Sequence, residues 1–315
     1  MTARRALGVA TMLVLVALLV AAASRLDLHR ALLAMGDVRL AWVLAAILAY
    51  LAILPLWAVQ WHALSPPTPH RTVRRMLGVV ALTASVLNTT PLLVGEAAGV
   101  LLLVTRIGLA RSAAVSVLAM DQLLVGIAKV CVLGSAAMLL PLPAPMRHGL
   151  QSLLVVVALL VMFLGALAWR PALMGLVARR LPPRLTGPLH RTAAALSPLL
   201  DFRLGGLALV LALLKKLAEL AAIVAMQRAF GVELPLASAL LVLGALNLAT
   251  LLPVLPGNVG LFEGAMVIAY RALGVPAEQA LAIAVLQHAC YFVALALPGY
   301  RWIGDVVPAR RTATS

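Results

Sequence analysis

The chain has 315 residues, of which 64% are hydrophobic and only 11% are charged, and its mean hydropathy is +1.08. A soluble domain does not have this composition, because its surface requires far more polar side chains. Lysine and arginine outnumber aspartate and glutamate by 25 to 10, so the net charge is +15. The basic residues lie between apolar runs without interleaved aromatic side chains. This pattern argues against a nucleic-acid partner and indicates contact with anionic lipid head groups.

Six apolar runs have the length of membrane spans, for which about 20 residues are needed. The first follows a short basic N-terminus, and we interpret it as an uncleaved signal anchor. A weak cleavage signal at Ala21-Ala22-Ala23 leaves cleavage as the alternative. Trp42, Trp57 and Trp61 near the ends of the second run are typical of interface anchors. The six predicted spans are 6–23, 40–61, 113–140, 150–169, 204–226 and 278–303.

Two more apolar stretches, 76–107 and 237–273, are interrupted by residues that end helices. Proline removes a backbone donor, and glycine permits turns that other residues avoid. Irregular backbone at membrane depth is tolerated only where it is buried in protein or lines a wet cavity. We therefore predict two re-entrant hairpins, each with an acid just after the break. The predicted break residues are Asn88, Pro91 and Gly95 before Glu96, and Pro253, Pro256, Gly257, Asn258 and Gly260 before Glu263.

The distribution of arginine predicts the orientation of the chain. Excess positive charge marks the N-terminus, the segments 62–75 and 170–203, and the tail, so all four are expected on the cytoplasmic side. This is consistent only if each hairpin enters and leaves on one side. The predicted fold is an all-α polytopic membrane protein with about six full transmembrane helices and two re-entrant hairpins. We expect both termini on the cytoplasmic side of the membrane.

The two halves of the chain resemble each other. Asn88, Pro91, Gly95 and Glu96 are matched in order by Asn247, Pro253, Gly260 and Glu263. Thirteen positions separate Gly108 from Asp121 and Gly274 from Gln287, so Asp121-Gln122 corresponds to Gln287-His288. Three predicted spans lie between the hairpins, so the repeats have opposite orientation. Such inverted repeats are typical of secondary transporters, and the alternative is a chance match between apolar stretches.

The repeat also divides the chain. We treat 1–315 as a single integral membrane domain whose first inverted repeat is 1–140. The second repeat begins with the span at 141–169 and continues at 204–303, after the basic cytoplasmic loop 170–203. The cytoplasmic tail is 304–315.

Glu96 and Glu263 are the leading candidates for a polar site. Free backbone amides after each break, together with the positive end of the following helix, stabilise a carboxylate there. Such an acid can bind a cationic head group, carry a proton, or cap the hairpin. Arg106 and Arg271 lie further along the same arms, where they can neutralise the acids, hold a lipid phosphate or extend to the membrane surface.

Other charged residues fall inside predicted spans, where they are functional candidates. Lys215 and Lys216 are spaced to pair with Glu219 on one helix. Two lysines for one acid leave a positive charge that a phosphate or a hairpin acid can balance. Asp121 lies about two turns from Lys129 on the same face. His288 is a proton carrier or a hydrogen-bonded structural histidine.

Enzymatic signatures are missing from the sequence. It has no Gly-x-Ser-x-Gly elbow, no His-Glu-x-x-His and no phosphate-binding loop. Its two cysteines lack the spacing of a metal site or redox pair. We therefore expect no enzymatic activity, no metal and no cofactor.

Two motifs carry a resemblance to a known family. They are Asn88 to Glu96 with Arg106-Ile107-Gly108, and Leu252 to Glu263 with Leu273-Gly274-Val275-Pro276 and Ala280. Together they resemble the flippase-like integral membrane family named for the transmembrane region of lysylphosphatidylglycerol synthase. The resemblance covers nearly the whole chain and implies a stand-alone member without the synthase domain. Ala97-Ala98-Gly99 stand where the family usually has a basic residue, and Gln287-His288 where many members have an arginine.

The resemblance implies a lipid translocator, whose substrate crosses through a cavity between the hairpins. The expected substrate is a polar or isoprenoid lipid, such as a hopanoid or a polyprenyl-linked lipid, and the expected partners are membrane lipids. An oligomer is compatible with the sequence. One alternative is a non-transporting membrane scaffold for a lipid or glycan biosynthetic enzyme, and another is a lipid-modifying enzyme.

Overall fold

The computed structural model describes residues 36, 38–90, 94–141, 144–169, 201–251 and 255–305. The predicted anchor at 6–23, most of the loop 170–203, the end of the tail, Pro91 and Pro253 lie outside them. Every regular element in the described residues is helical. The α-helices are α1 (Leu40–Leu51), α2 (Ile53–Leu64), α3 (Val73–Thr89), α4 (Val94–Leu102), α5 (Arg111–Leu139), α6 (Ala144–Trp169), α7 (Phe202–Ala229), α8 (Leu236–Ala249), α9 (Leu261–Ala272) and α10 (Ala277–Leu295). A π-helical turn spans Leu103–Ile107, and 3₁₀ segments span Pro256–Asn258 and Pro298–Asp305.

Three helical stretches in this part of the chain are long and apolar enough to cross a membrane: Leu40–Leu64, Arg111–Leu139 and Ala277–Trp302. Shorter apolar helices lie at Met146–Met162 and Leu236–Ala249. Helix α7 is also long enough, with 28 residues, but it is not as apolar as these three because Lys215, Lys216 and Glu219 lie near its middle. The chain is thus an all-helical, multi-pass membrane protein. The count of six spans and the re-entrant path of the hairpins stay predictions.

Proline positions explain two interruptions of the long helices. The stretch Leu40–Leu64 is broken at Ala52, shortly before Pro55. Pro55 has no N–H to donate to the carbonyl of Leu51, so the α-helical ladder cannot continue unbroken. In the same way α10 ends at Leu295, three residues before Pro298, and the chain continues in a 3₁₀ segment.

Each predicted hairpin consists of two short helices that pack against each other. Helix α3 packs on α4, and α8 packs on α9. Helices α8 and α9 have 14 and 12 residues, so each is about 18–21 Å long. That is less than the hydrocarbon thickness of about 30 Å. Each arm of the second pair is therefore too short to cross the membrane as a regular helix.

Helix α7 is the centre of the packing, because it contacts α1, α2, α5, α8 and α10. It contributes Ile223 and Met226 to the main core, where both side chains are fully buried. Large apolar side chains elsewhere remain exposed, among them Leu44 and Leu48 on α1 and Leu154 and Met162 on α6. Exposed apolar faces of this extent fit contact with lipid tails.

Candidate functional site

The break points of the two helix pairs meet inside the protein. The 3₁₀ segment Pro256–Asn258 packs against α3, which ends at Thr89. Gly257 has φ of 60°, and a Cβ there would lie 2.8 Å from the carbonyl oxygen of Asn88. Only glycine fits this approach, since real Cβ atoms do not come so close. Asn258 also has a left-handed backbone, with φ of 56°.

A cavity of about 290 Å³ lies beside this junction. Both helix pairs line it, Asn88 and Glu96 from the first and Asn247, Asn258 and Phe262 from the second. Helices α1, α2, α5, α7 and α10 supply the other walls. The cavity therefore lies between the two helix pairs.

The charged side chains that line the cavity balance in number. The acids are Glu96, Asp121 and Glu219, and the bases are Lys129, Lys215 and Lys216. Glu96 belongs to the first predicted hairpin. The other five residues lie on α5 and α7, which the sequence predicts to span the membrane. Their formal charges sum to zero, which lowers the free-energy penalty of placing them together in a low-dielectric environment.

Asp121 on α5 and Lys215 on α7 form an ion pair at 3.3 Å, and their side chains are only 4% and 6% exposed. Trp57 Nε1 donates to the other oxygen of Asp121 at 3.1 Å. Lys215 Nζ also lies 5.4 Å from the centroid of the Trp57 ring. The positive charge that the sequence left unbalanced at Lys215 is thus balanced by Asp121, across two helices.

Lys216 makes the contacts predicted within its own helix and one more. Its Nζ donates to both oxygens of Glu219, at 2.7 and 2.8 Å. It also donates to Asn247 Oδ1 on α8 at 3.1 Å. Asn247 is 3% exposed, and no residue that the structure describes accepts a hydrogen bond from its Nδ2.

Glu96 differs from the paired acids of the cavity. It lies in the first turn of α4, and one of its oxygens, Oε2, is buried without a hydrogen-bond partner among the described residues. Asn258 Oδ1 is also buried, and no described residue donates to it. Lys129 lines the same cavity and forms no ion pair with any residue that the structure describes. Glu96, Asn258, Asn247 and Lys129 thus offer acceptors and donors to a ligand.

Glu263 instead takes part in a hydrogen-bonded unit with His288. One oxygen accepts from the backbone N–H of Gly260 at 2.7 Å, which caps α9, and the other lies 2.6 Å from His288 Nδ1. His288 Nε2 lies 3.0 Å from the carbonyl oxygen of Gly257, so Nε2 carries a proton. The contact between Nδ1 and the carboxylate is a second hydrogen bond of the same ring, so His288 links Glu263 to the backbone of the break. Glu263 is not among the residues described as lining the cavity.

The two arm arginines occupy different surroundings. Arg106 lies in the π-helical turn and lines a second cavity, away from the break points. Arg271 lies in the last turn of α9 and is exposed. The structure brings neither arginine to Glu96 or Glu263 by any hydrogen bond or ion pair among the described residues.

The sequence identified the charged residues of the cavity but not most of the uncharged residues that line it with them. It indicated an interface anchor at Trp57, whereas Trp57 hydrogen bonds to Asp121. Tyr50, which lines the cavity, was missed altogether. Asn247 could have been predicted as a lining residue, because the sequence match between the halves aligns it with Asn88. Within the described residues no group of three His, Cys, Asp or Glu side chains is placed to hold a metal.

A comparison with protein families identifies the chain at a broad level. The family model described as "Lysylphosphatidylglycerol synthase TM region" matches residues 5–299. Comparisons with curated proteins and with solved structures found no match. The match covers most of the chain, including both predicted hairpins and the central cavity, and it confirms the resemblance carried by the two motifs. The chain belongs to the lysylphosphatidylglycerol synthase TM region family.

Proposed function

We propose that the protein is a lipid translocator of a bacterial inner membrane, with both termini on the cytoplasmic side. It moves a polar or isoprenoid lipid between the leaflets, with the two helix pairs acting as re-entrant hairpins of an inverted repeat. The observation that carries this proposal is the charge-balanced cavity where the two break points meet. A buried constellation of this kind at membrane depth is a functional candidate, because it is costly for stability alone.

The free groups of the cavity indicate how it can hold a head group. Glu96 and Asn258 offer acceptors to hydroxyl or ammonium groups. Asn247 Nδ2 and Lys129 offer donors to phosphate or hydroxyl oxygens. Because donors and acceptors are mixed and the net charge is zero, a head group is held by several weak contacts. Weak, distributed binding favours release on the opposite side over trapping.

We further propose that the protein acts without covalent chemistry on the lipid. The cavity residues serve to replace water around the polar head group, while the apolar tails stay in contact with the bilayer. The charge pairs Asp121–Lys215 and Lys216–Glu219 hold the walls of the cavity in place. Glu263 and His288 hold the second break in shape.

Lipid scrambling in proteoliposomes tests the proposal. Fluorescent phospholipid, polyprenyl-phosphate and hopanoid probes are compared for the wild type, Glu96→Gln and the control Glu278→Gln. Glu278 lies in the first turn of α10 and is not among the residues described as lining the cavity. We expect the wild type and the control to move at least one probe. Glu96→Gln is expected to lower that rate by about tenfold, the effect of one lost charged hydrogen bond.

Two outcomes contradict parts of the proposal. If Glu96→Gln moves lipid as fast as the wild type, the free carboxylate is not part of the path. If folded wild-type protein moves none of the three probes, translocation of these lipids is rejected. The scaffold alternative is then tested by copurification with lipid or glycan biosynthetic enzymes.

A further inference from the structure

A second cavity, of about 630 Å³, lies at the other end of the first helix pair. It shares no residue with the central cavity. It is formed by the first turns of α3, the π-helical turn and the 3₁₀ segment after α10. Along α3 it begins at Thr72, about 24 Å from Asn88 at the break. The side chains that matter here are His70, Arg74, Arg75, Thr105, Arg106 and Trp302.

The charge of this cavity is one-sided. Three arginines line it, and no acid is among its described lining residues. None of the three guanidinium groups forms an ion pair with a described residue. Arg106 is half-buried, and its Nη2 is buried without a hydrogen-bond partner among the residues that the structure describes. A buried guanidinium nitrogen without a partner is unfavourable until a ligand or a water molecule supplies the missing acceptor, and an anion does so with the strongest hydrogen bonds.

The other walls suit a ligand at the membrane surface. Trp302 packs against α3 at Gly78, where a Cβ would lie 3.0 Å from its ring. Tryptophan prefers the depth of lipid head groups, because its ring is apolar and its N–H is polar. The cavity also lies at the first turn of α3, where the helix dipole favours negative charge. Thr105 adds a hydroxyl to the same wall.

We propose that this second cavity is a phosphate-binding site, which takes the phosphate group of a lipid or of a soluble phosphate ester. Arginine suits this role because its planar guanidinium group donates two parallel hydrogen bonds to phosphate oxygens. Arg106, which is half-buried, is the anchor, and the exposed Arg74 and Arg75 complete the neutralisation of the phosphate. Binding here is independent of transport through the central cavity, so either proposal can fail while the other stands.

Calorimetric titration of the full chain in a neutral detergent tests the site. The ligands are dihexanoyl phosphatidate, dihexanoylglycerol and inorganic phosphate. The first two share their acyl chains and differ in the phosphate. The variants are Arg106→Gln, Arg75→Gln and the control Arg147→Gln. Arg147 is exposed at the start of α6, and its substitution removes the same charge outside the described lining of the cavity.

We expect phosphatidate to bind and dihexanoylglycerol not to bind. Arg106→Gln should weaken phosphatidate about tenfold or more, Arg75→Gln less, and Arg147→Gln not at all. If inorganic phosphate binds as tightly as phosphatidate, the acyl chains add nothing to the affinity and the ligand is a soluble phosphate ester. If inorganic phosphate binds much more weakly than phosphatidate, the acyl chains contribute and the ligand is a lipid.

Three results overturn the proposal. The first is equal binding of phosphatidate and dihexanoylglycerol, and the second is no phosphatidate binding by the folded wild type. The third is unchanged affinity in both Arg106→Gln and Arg75→Gln. Arg75 is exposed, so its variant keeps the test decisive if Arg106→Gln does not fold.

Discussion

Glu96 and Glu263 occupy matching positions in the two halves of the chain, yet their surroundings differ. Glu263 has partners for both oxygens, the Gly260 amide and His288. Glu96 lines the central cavity, and one of its oxygens is buried without a hydrogen-bond partner among the described residues. Glu263 caps the break in its own hairpin, whereas Glu96 leaves a buried acceptor unused in the described part of the chain. Matching positions in the two halves thus have different hydrogen-bonding surroundings.

The next matched pair differs in the opposite sense. Asp121 is buried in an ion pair with Lys215, whereas its counterpart Gln287 is neutral and donates to the Tyr50 hydroxyl at 2.8 Å. Of these matched positions, the first half pairs its acid on α5 and the second half pairs its acid on α9. The two halves thus differ in which of the two matched positions carries an acid with a charged or hydrogen-bonded partner.

The largest effect is expected for Asp121→Asn, because it leaves Lys215 charged and unpaired in a buried site. We expect a loss of about 4 kcal/mol in the free energy of unfolding. Adding Lys215→Met should restore part of it. Asp201→Asn, at the N-cap of α7, is the matched control, because asparagine caps a helix as well as aspartate. Unfolding by SDS in mixed micelles measures all three, and no loss in Asp121→Asn would refute the buried-pair description.

Glu263→Gln is expected to cost about 3 kcal/mol of stability. The amide oxygen of glutamine can still accept from Gly260, but the charged hydrogen bond to His288 is lost. The same SDS titration measures the change. A free energy of unfolding equal to that of the wild type would show that the second acid is not structural, and the contrast between the halves would fail.

Gly257→Ala tests the contact between the two break points. A methyl group at this left-handed position meets the Asn88 carbonyl, so we expect a loss of about 2 kcal/mol. Gly264→Ala is the matched control in α9, since nothing lies within 4 Å of a Cβ there. The control should be neutral or stabilising by up to about 1 kcal/mol. Equal stability of both variants would mean that the break points do not touch.

Glu96→Gln should have the smallest effect on stability, less than about 0.5 kcal/mol. Neutralising an unpartnered, half-buried carboxylate removes a desolvation penalty, while the favourable interaction with the first turn of α4 is also lost. The comparison with Glu263→Gln in one SDS titration is the sharpest test of the difference between the halves. A large destabilisation by Glu96→Gln would assign a structural role to both acids.

The sequence predicted much of the fold because proline, glycine and charge interrupt an otherwise apolar chain. The long spans at 40–64 and 111–139 and both broken pairs are close to their predicted bounds. Helix α6 begins at Ala144, six residues before its predicted start, because Pro145 is tolerated in a first helical turn. The membrane family was also predictable, from the motifs around Glu96 and Glu263.

The partners that charged residues find on other helices were not predictable, whereas the pairing of Lys216 with Glu219 within α7 was. Lys215 and Lys216 are neighbours in sequence, but one reaches Asp121 on α5 and the other Asn247 on α8. These choices depend on how helices pack across 94 and 31 positions of sequence, which helical periodicity does not report. For the same reason the sequence left three roles open for each hairpin acid and did not separate Glu96 from Glu263.

The π-helical turn at Leu103–Ile107 has a consequence for the symmetry of the two halves. From Glu96 to Gly108 there are 12 positions, but from Glu263 to Gly274 there are 11. Both glycines have a left-handed backbone and end their arms, with φ of 78° and 84°. A π turn holds one residue more than an α turn. The first arm therefore contains one residue more than the second without being longer by the full rise of one helical residue. The π turn also changes the angular phase of every residue beyond it. The first arm therefore presents Thr105 and Arg106 in a direction that a regular helix from Glu96 would not give, and deleting one residue from this turn should rotate the basic wall away from α3.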